Sequence, residues 1–291
     1  MRLKEKITEA LLQLSAIFSV LITVAILYVL ISESYFFFSR VSFFEFITAT
    51  EWTPLFTQKS YGILPLVTGT VLTSFIAMLV ALPIGLTIAI YLNVYASPGF
   101  KKVIKPVIEV LAAVPTVVYG YFALMIVTPF LQGFIPGLSG FNSLSPGIVM
   151  GIMIIPMISS LSEDALHAVP QNLREASYGM GATRFQTAFR VLVPAASSGI
   201  IVSIILAVSR AVGETMIVAI AAGQQPRFTF NPFVPIETMT TYIVKVSLGD
   251  VVHGSLEYQT IFAAGITLFV LTFAMNIISF YLKRKFQEKY E

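Results

Sequence analysis

SEDALHAVPQNLREASYGMGATRFQTAFRVLVP, residues 162–194, is a polar but patterned segment set between two strongly apolar runs, and its reading decides the fold. Leu173, Ala176 and Met180 recur at helical spacing beside Arg174 and Glu175, which gives a short helix with a small apolar stripe. Gly179 and Gly181 interrupt that pattern, Thr183-x-x-Gln186 offers a capping box for a second helix, and Pro194 closes it. Ser160-x-x-Glu163 is another candidate box, which would start a short helix ending before Pro170. The segment therefore reads as helix, glycine turn and helix. Periodicity alone also allows such an element to lie on a lipid surface.

Outward from this segment the chain is a series of apolar runs. A bilayer crossing needs about 20 apolar residues, and six stretches qualify: Ala10–Ser32, Leu66–Tyr95, Val107–Leu131, the shorter Leu144–Leu161, Ala195–Ala222 and Ile261–Leu282. Hydrophobic residues make up 56% of the 291 and charged residues 11%, and mean hydropathy is +0.85. An ordinary soluble domain lies well outside that composition. Prolines at Pro83, Pro115 and Pro156 should kink the second, third and fourth spans.

The basic residues then orient the chain. Of 18 Lys and Arg, thirteen fall at the N-terminus, after the second span, in 162–194 or after the sixth span. By the positive-inside rule those segments share the cytoplasmic side, so both termini are inside. Membrane topology thus accounts for a pI near 9.0, and a nucleic-acid partner is not required. The opposite face carries 33–65, the apolar 132–143 and 223–258, long enough to form a docking surface. The organisation expected is a first span and loop at 1–65, a core at 66–285 containing the loop 162–194, and a tail at 286–291. Arg2, Lys4 and Lys6 before the first run imitate a signal peptide, but 23 apolar residues without an A-x-A site read as a retained span. Gly147-x-x-x-Gly151 in the fourth span permits close helix approach.

No cysteine is present, and His167 and His253 belong to no ligand pattern, so disulfides, thiolate sites and a metal centre are not expected. Within the fifth run, Arg210 and Glu214 are the charged residues set deep in apolar sequence. Each ionised group at such depth costs roughly 2.5 to 3.5 kcal/mol. On a continuous helix their four-residue spacing would place them on one face, where they could neutralise each other, fix helix packing or hold an anion.

Glu175-Ala176-Ser177, three residues, Gly181, nine residues and Val191-Leu192-Val193-Pro194 resemble the E-A-A-x3-G-x9-I-x-L-P signature of ABC importer permeases, with serine for the second alanine and valines at two apolar positions. The resemblance implies a type I importer fold. In that family this loop is the coupling helix, so Glu175, Ala176 and Gly181 would shape an element docked on a separate ATPase. Glu51-Trp52-Thr53-Pro54, Tyr61-Gly62-Ile63-Leu64-Pro65, 109–120, Gly181-Ala182-Thr183-Arg184 and 209–216 further resemble the PstC-type phosphate permeases. What this resemblance implies is a multi-pass protein of a prokaryotic inner membrane. Its partners would be a PstA-type sister permease, two PstB-type ATPase subunits and a PstS-type phosphate-binding protein. ATP and magnesium would belong to the ATPase, since this chain has no G-x-x-x-x-G-K-[ST] loop.

Arginine matches tetrahedral oxyanions and stays charged when desolvated. Arg210 would attract the anion, and Glu214 would disfavour sulfate, which has no proton to donate, while accepting one from phosphate. Other oxyanions such as sulfate or molybdate, and a proton-coupled secondary transporter, are the alternatives. A membrane enzyme is disfavoured because Glu163 and Asp164 are adjacent and no G-x-S-x-G elbow occurs.

Overall fold

The computed structural model describes residues 2–286, so residues 287–291 of the expected tail lie outside it. The architecture is helical, and among the described residues the only strand-like pairings are two isolated bridges, Trp52 with Tyr61 and Gly223 with Ile236. Among the described residues four helices are long and apolar enough to cross a membrane: Ile7–Phe38, Leu64–Tyr95, Leu144–His167 and Leu256–Leu282. Two bent pairs, Pro98–Ala113 with Thr116–Gln132 (85°) and Arg184–Ala195 with Ser197–Val212 (73°), raise the number to six if each is one span.

The bends have local causes. Val114, before Pro115, is extended at φ −67° and ψ 129°, as the proline ring demands of its predecessor. The expected Val107–Leu131 span therefore straddles a corner. Pro83 and Pro156, by contrast, sit inside continuous helices. There Thr87 donates to the Pro83 carbonyl at 2.7 Å and Ser159 to that of Pro156 at 3.1 Å, which keeps carbonyls near each proline partnered.

At the centre, Leu64–Tyr95 packs along Leu144–His167. A Cβ on Gly151 would lie 2.7 Å from Val80 Cβ and 2.8 Å from the Ala77 carbonyl oxygen. The Gly147-x-x-x-Gly151 face is thus a true close approach, in which backbone contact replaces the hydrophobic drive that lipid removes. Met150, Met153, Ile154, Ile158, Ala207 and Ile217 complete this core.

The Leu144–His167 helix also overruns the expected end at Leu161, so Ser160 and Glu163 lie within it and form no capping box. Glu163 is 2% exposed. It bonds Lys101 and, at 2.9 Å, Lys105, which also reaches Asp164 at 3.1 Å. These pairs tie the Pro98–Ala113 helix to one end of the bundle.

The two long segments 33–65 and 223–258 fold together at the opposite end as an aromatic cap. Phe37, Phe46, Trp52, Tyr61, Met239 and Tyr242 form its buried centre. Edge-to-face pairs run through it, Phe37 on Tyr61 at 5.7 Å, Phe46 on Trp52 at 6.2 Å and Trp52 on Tyr242 at 5.1 Å, a geometry aromatic quadrupoles favour.

Candidate translocation and coupling sites

The continuous fifth helix expected from sequence is broken in the structure. Ser197–Val212 ends at Gly213, and a new short helix, Met216–Ala221, begins after Thr215. Arg210 is exposed in the last turn of the first helix, where a cation is favoured by the carbonyl end of the dipole. Glu214 is buried at 9% exposure. Its Oε1 accepts from the backbone N–H groups of Met216 and Ile217 at 3.1 and 3.4 Å. Among the described residues no ion pair joins Arg210 to Glu214. The carboxylate is satisfied by peptide donors, and the guanidinium is left open.

Thr240 explains why Glu214 stays at this break. Its hydroxyl donates to the Glu214 carbonyl at 2.9 Å, while the neighbouring Met239 N–H donates to Thr70 Oγ1 at 3.1 Å. The interruption is thereby pinned between the Leu64–Tyr95 span and the Met239–Ser247 helix. Nothing in the local spacing of Thr240 announces that role, because the contact spans a long stretch of chain.

The segment after His167 follows its sequence grammar closely. Gln171–Gly179 is a helix, Gly181 turns the chain at φ +81°, and Thr183 with Gln186 forms a reciprocal capping box. Only glycine adopts that backbone region without strain. Arg184–Ala195 follows, and Pro194 lies inside its last turn rather than closing it. Glu175 and Ala176 are exposed, as is Gly181, and Glu175 accepts from Gln171 Nε2 at 2.8 Å.

This element is fixed from behind. Arg174 donates to Asn93 Oδ1 at 2.6 Å, Ser177 and Thr187 hydroxyls meet at 2.9 Å, and Leu166, Val169, Ala188 and Leu192 pack against Ala89 and Ile90. Its front is apolar and bare. Met180 is 88% exposed and Phe185 63%, and the Phe185 and Phe189 rings lie 4.6 Å apart. Phe185 and Phe189 were legible in sequence as an i, i+4 aromatic pair but were not singled out.

Arg210 and Glu214 therefore stand together at one end of the Ser197–Val212 helix, with Glu175, Ala176 and Gly181 beyond the other. Sixteen residues separate those ends, about 24 Å at the α-helical rise. The Ser197–Val212 helix joins the two places through the 73° bend at its start.

Residues 81–288 match the family described as binding-protein-dependent transport system inner membrane component. The chain belongs to this family. It is similar to a probable ABC transporter permease protein, YqgH, of Bacillus subtilis, with 37% identity covering 84% of this chain and 79% of that one. It is also similar to the phosphate transport system permease protein PstC of Mesorhizobium japonicum, 34% identical over 82% and 78% of the two chains. In fold it resembles a solved bacterial ABC transporter involved in import of the acidic polysaccharide alginate, at TM-score 0.66 and 18% identity, covering 99% and 100% of the chains. A multi-pass transport subunit, not an enzyme, is what this family membership establishes. Among the described residues no group of three or more His, Asp or Glu is placed to hold a metal.

Proposed function

We propose that this chain is the PstC-type permease subunit of an ATP-driven phosphate importer. Each bent pair counts as one of six spans, both termini are cytoplasmic, and the 168–196 segment docks on a PstB-type ATPase. A PstA-type sister completes the path, and a PstS-type binding protein delivers phosphate to the capped end. The supporting relatives include several named PstC, one of which is 32% identical over 95% of this chain.

The observation that carries the reading is the break at Gly213. It leaves Arg210 exposed and, among the described residues, without an ion-pair partner, while Glu214 is held by backbone N–H groups. Arg210 is then available to an anion rather than committed to its neighbour, which revises the self-neutralising pair considered from sequence. A guanidinium fork suits a tetrahedral oxyanion. Glu214 repels sulfate and accepts a hydrogen bond from protonated phosphate. Force enters through Gln171–Gly179 and travels along Ser197–Val212 to this point.

The test is binding-protein-dependent uptake and ATPase activity of the assembled transporter with phosphate, sulfate and molybdate in turn. Arg210→Ala should reduce phosphate uptake at least a hundredfold with the complex intact, and Glu214→Gln should admit sulfate. Uptake and selectivity unchanged in both variants would make the pair structural. Loss of uptake on collapse of the proton gradient, with ATP maintained, would instead indicate a secondary transporter.

A further inference from the structure

A cavity of about 440 Å³ opens in the cap, with Trp52, Gln224, Arg227, Glu237, Tyr242 and Lys245 among its walls. Its size falls in the usual range for small-ligand sites. Glu237 is 0% exposed. Its Oε1 accepts from Lys245 Nζ at 3.2 Å, and its buried Oε2 has no hydrogen-bond partner among the described residues. An orphaned carboxylate oxygen in an apolar cap is costly, and such groups call for a missing ligand or water. Burial raises the Glu237 carboxyl to about 7, with Lys245 opposing the shift.

The remaining charged groups of the wall are cationic. Lys245 also donates to the Gln224 carbonyl at 3.3 Å and remains 36% exposed. Arg227 donates to Gln225 Oε1 at 2.8 Å and makes no ion pair among the described residues. Two cations and one carboxylate thus line the cavity, which favours an anion over a cation. A carboxylate side chain of a docking protein would bring charge but, ionised, no hydroxyl for Oε2. A protonated oxyanion brings both.

We propose that this cavity is an entry-side holding site for an oxyanion that carries a proton, of which hydrogen phosphate is the type; the assignment of substrate rests on the permease reading above. Arg227 and Lys245 donate to the anion's oxygens, and Glu237 Oε2 accepts the hydrogen bond of its hydroxyl. Lys245, long and part-exposed, swings toward the anion as it enters. The site also has a structural route inward. A Cβ on Gly69 would meet the Glu237 carbonyl oxygen at 2.2 Å, which fixes Glu237 against the Leu64–Tyr95 span. Three residues on, Thr240 holds the Glu214 carbonyl, so one short segment joins the holding site to the break beside Arg210.

Trp52 is the chain's single tryptophan, and it supplies the probe. The chain is assembled with its sister permease and ATPase subunits in nanodiscs, labelled with 5-fluorotryptophan, without binding protein or nucleotide. The Trp52 fluorine resonance, assigned with W52F, is followed while inorganic phosphate or sulfate is added. Phosphate should move the resonance, with sulfate at least tenfold weaker. R227Q and K245M should each raise the phosphate midpoint at least tenfold, and E237Q should remove most of the preference over sulfate. R227Q alters an exposed side chain, and thermal midpoints recorded in parallel separate lost binding from lost folding. A wild-type resonance that phosphate leaves unmoved, or midpoints for R227Q and K245M within twofold of wild type, would overturn the site. If those variants titrate normally while Arg210→Ala abolishes phosphate uptake, the holding site falls and the permease reading stands. If the wild-type complex imports sulfate or molybdate but no phosphate, the permease reading fails in its substrate. The fluorine titration then decides separately whether the cavity binds an oxyanion.

Discussion

The two ends of the bundle differ in their aromatic residues, since the cap buries a cluster of rings and the 168–196 end does not. In the cap, Phe37, Phe46 and Trp52 are at most 2% exposed and meet edge to face, whereas at the 168–196 end Phe185 and Phe189 pair with each other and stay open. The cap is held by a buried ring cluster of its own, although Phe44, Phe56 and Phe230 on its surface stay open. A segment anchored by Asn93, Ala89 and Ile90 behind, yet bare in front, is built for a partner.

The largest effect expected from breaking this contrast lies in the cap. Trp52→Ala removes the ring on which Phe46 and Tyr242 both pack and should cost about 3 to 5 kcal/mol, read as a lowered thermal midpoint of the purified complex. A normal midpoint would show that the cap is not a cooperative core. The open end should answer differently. Phe185→Ala with Phe189→Ala should weaken ATPase-subunit association by about 2 kcal/mol, the scale of interface hot spots, yet leave the midpoint of the permease alone within a degree or so.

Next in size is Gly181→Val, which forces a branched residue to φ +81° at about 1 to 2 kcal/mol. Since nothing lies within 4 Å of a Cβ there, the cost is conformational. Binding-protein-stimulated ATP hydrolysis should continue while uptake per ATP falls; coupling at the wild-type ratio would remove the turn from the mechanism. Gly151→Val, crowded by Val80 and Ala77 instead, should lower stability without this uncoupling.

The last effect is a pH dependence. Glu237 has its carboxyl raised from the ordinary value of 4.5 to about 7. Between those values the folded chain holds a proton that the unfolded chain has released, so stability is greatest at the acidic side and falls as pH rises through 7. Lys245 opposes the shift by its charge, Tyr242 packs beside the same cavity, and Arg227 shares its wall. The thermal midpoint should drop by a few degrees between pH 5 and 8, and E237Q should flatten that slope. An equal slope in E237Q would assign it to other groups.

Much of this architecture was readable residue by residue. Four of the six apolar runs located continuous membrane-length helices to within a turn or two, while the third and fifth fell on bent or broken ones. Thr183-x-x-Gln186 capped its helix as written, Gly181 took the left-handed turn, and Gly147-x-x-x-Gly151 marked the close helix contact. These features are local or depend on backbone sterics alone. Ser160-x-x-Glu163 failed as a cap because Glu163 found Lys101 and Lys105 on another helix. The fifth span failed as one helix because Thr240 and the Met216 and Ile217 N–H groups stabilise its interruption.

The sequence by itself determined that the chain resides in a membrane, where its helices lie, and how the segment before the fifth run turns, since hydropathy and backbone preference act over a few neighbouring residues. Only the tertiary structure decided which charges meet. Among the described residues Arg210 makes no ion pair with Glu214, Glu163 is joined to two lysines, and Glu237 is left with one oxygen open. In apolar surroundings the energy of a charge depends on what lies within a few ångströms through space, and spacing along the chain does not reveal that.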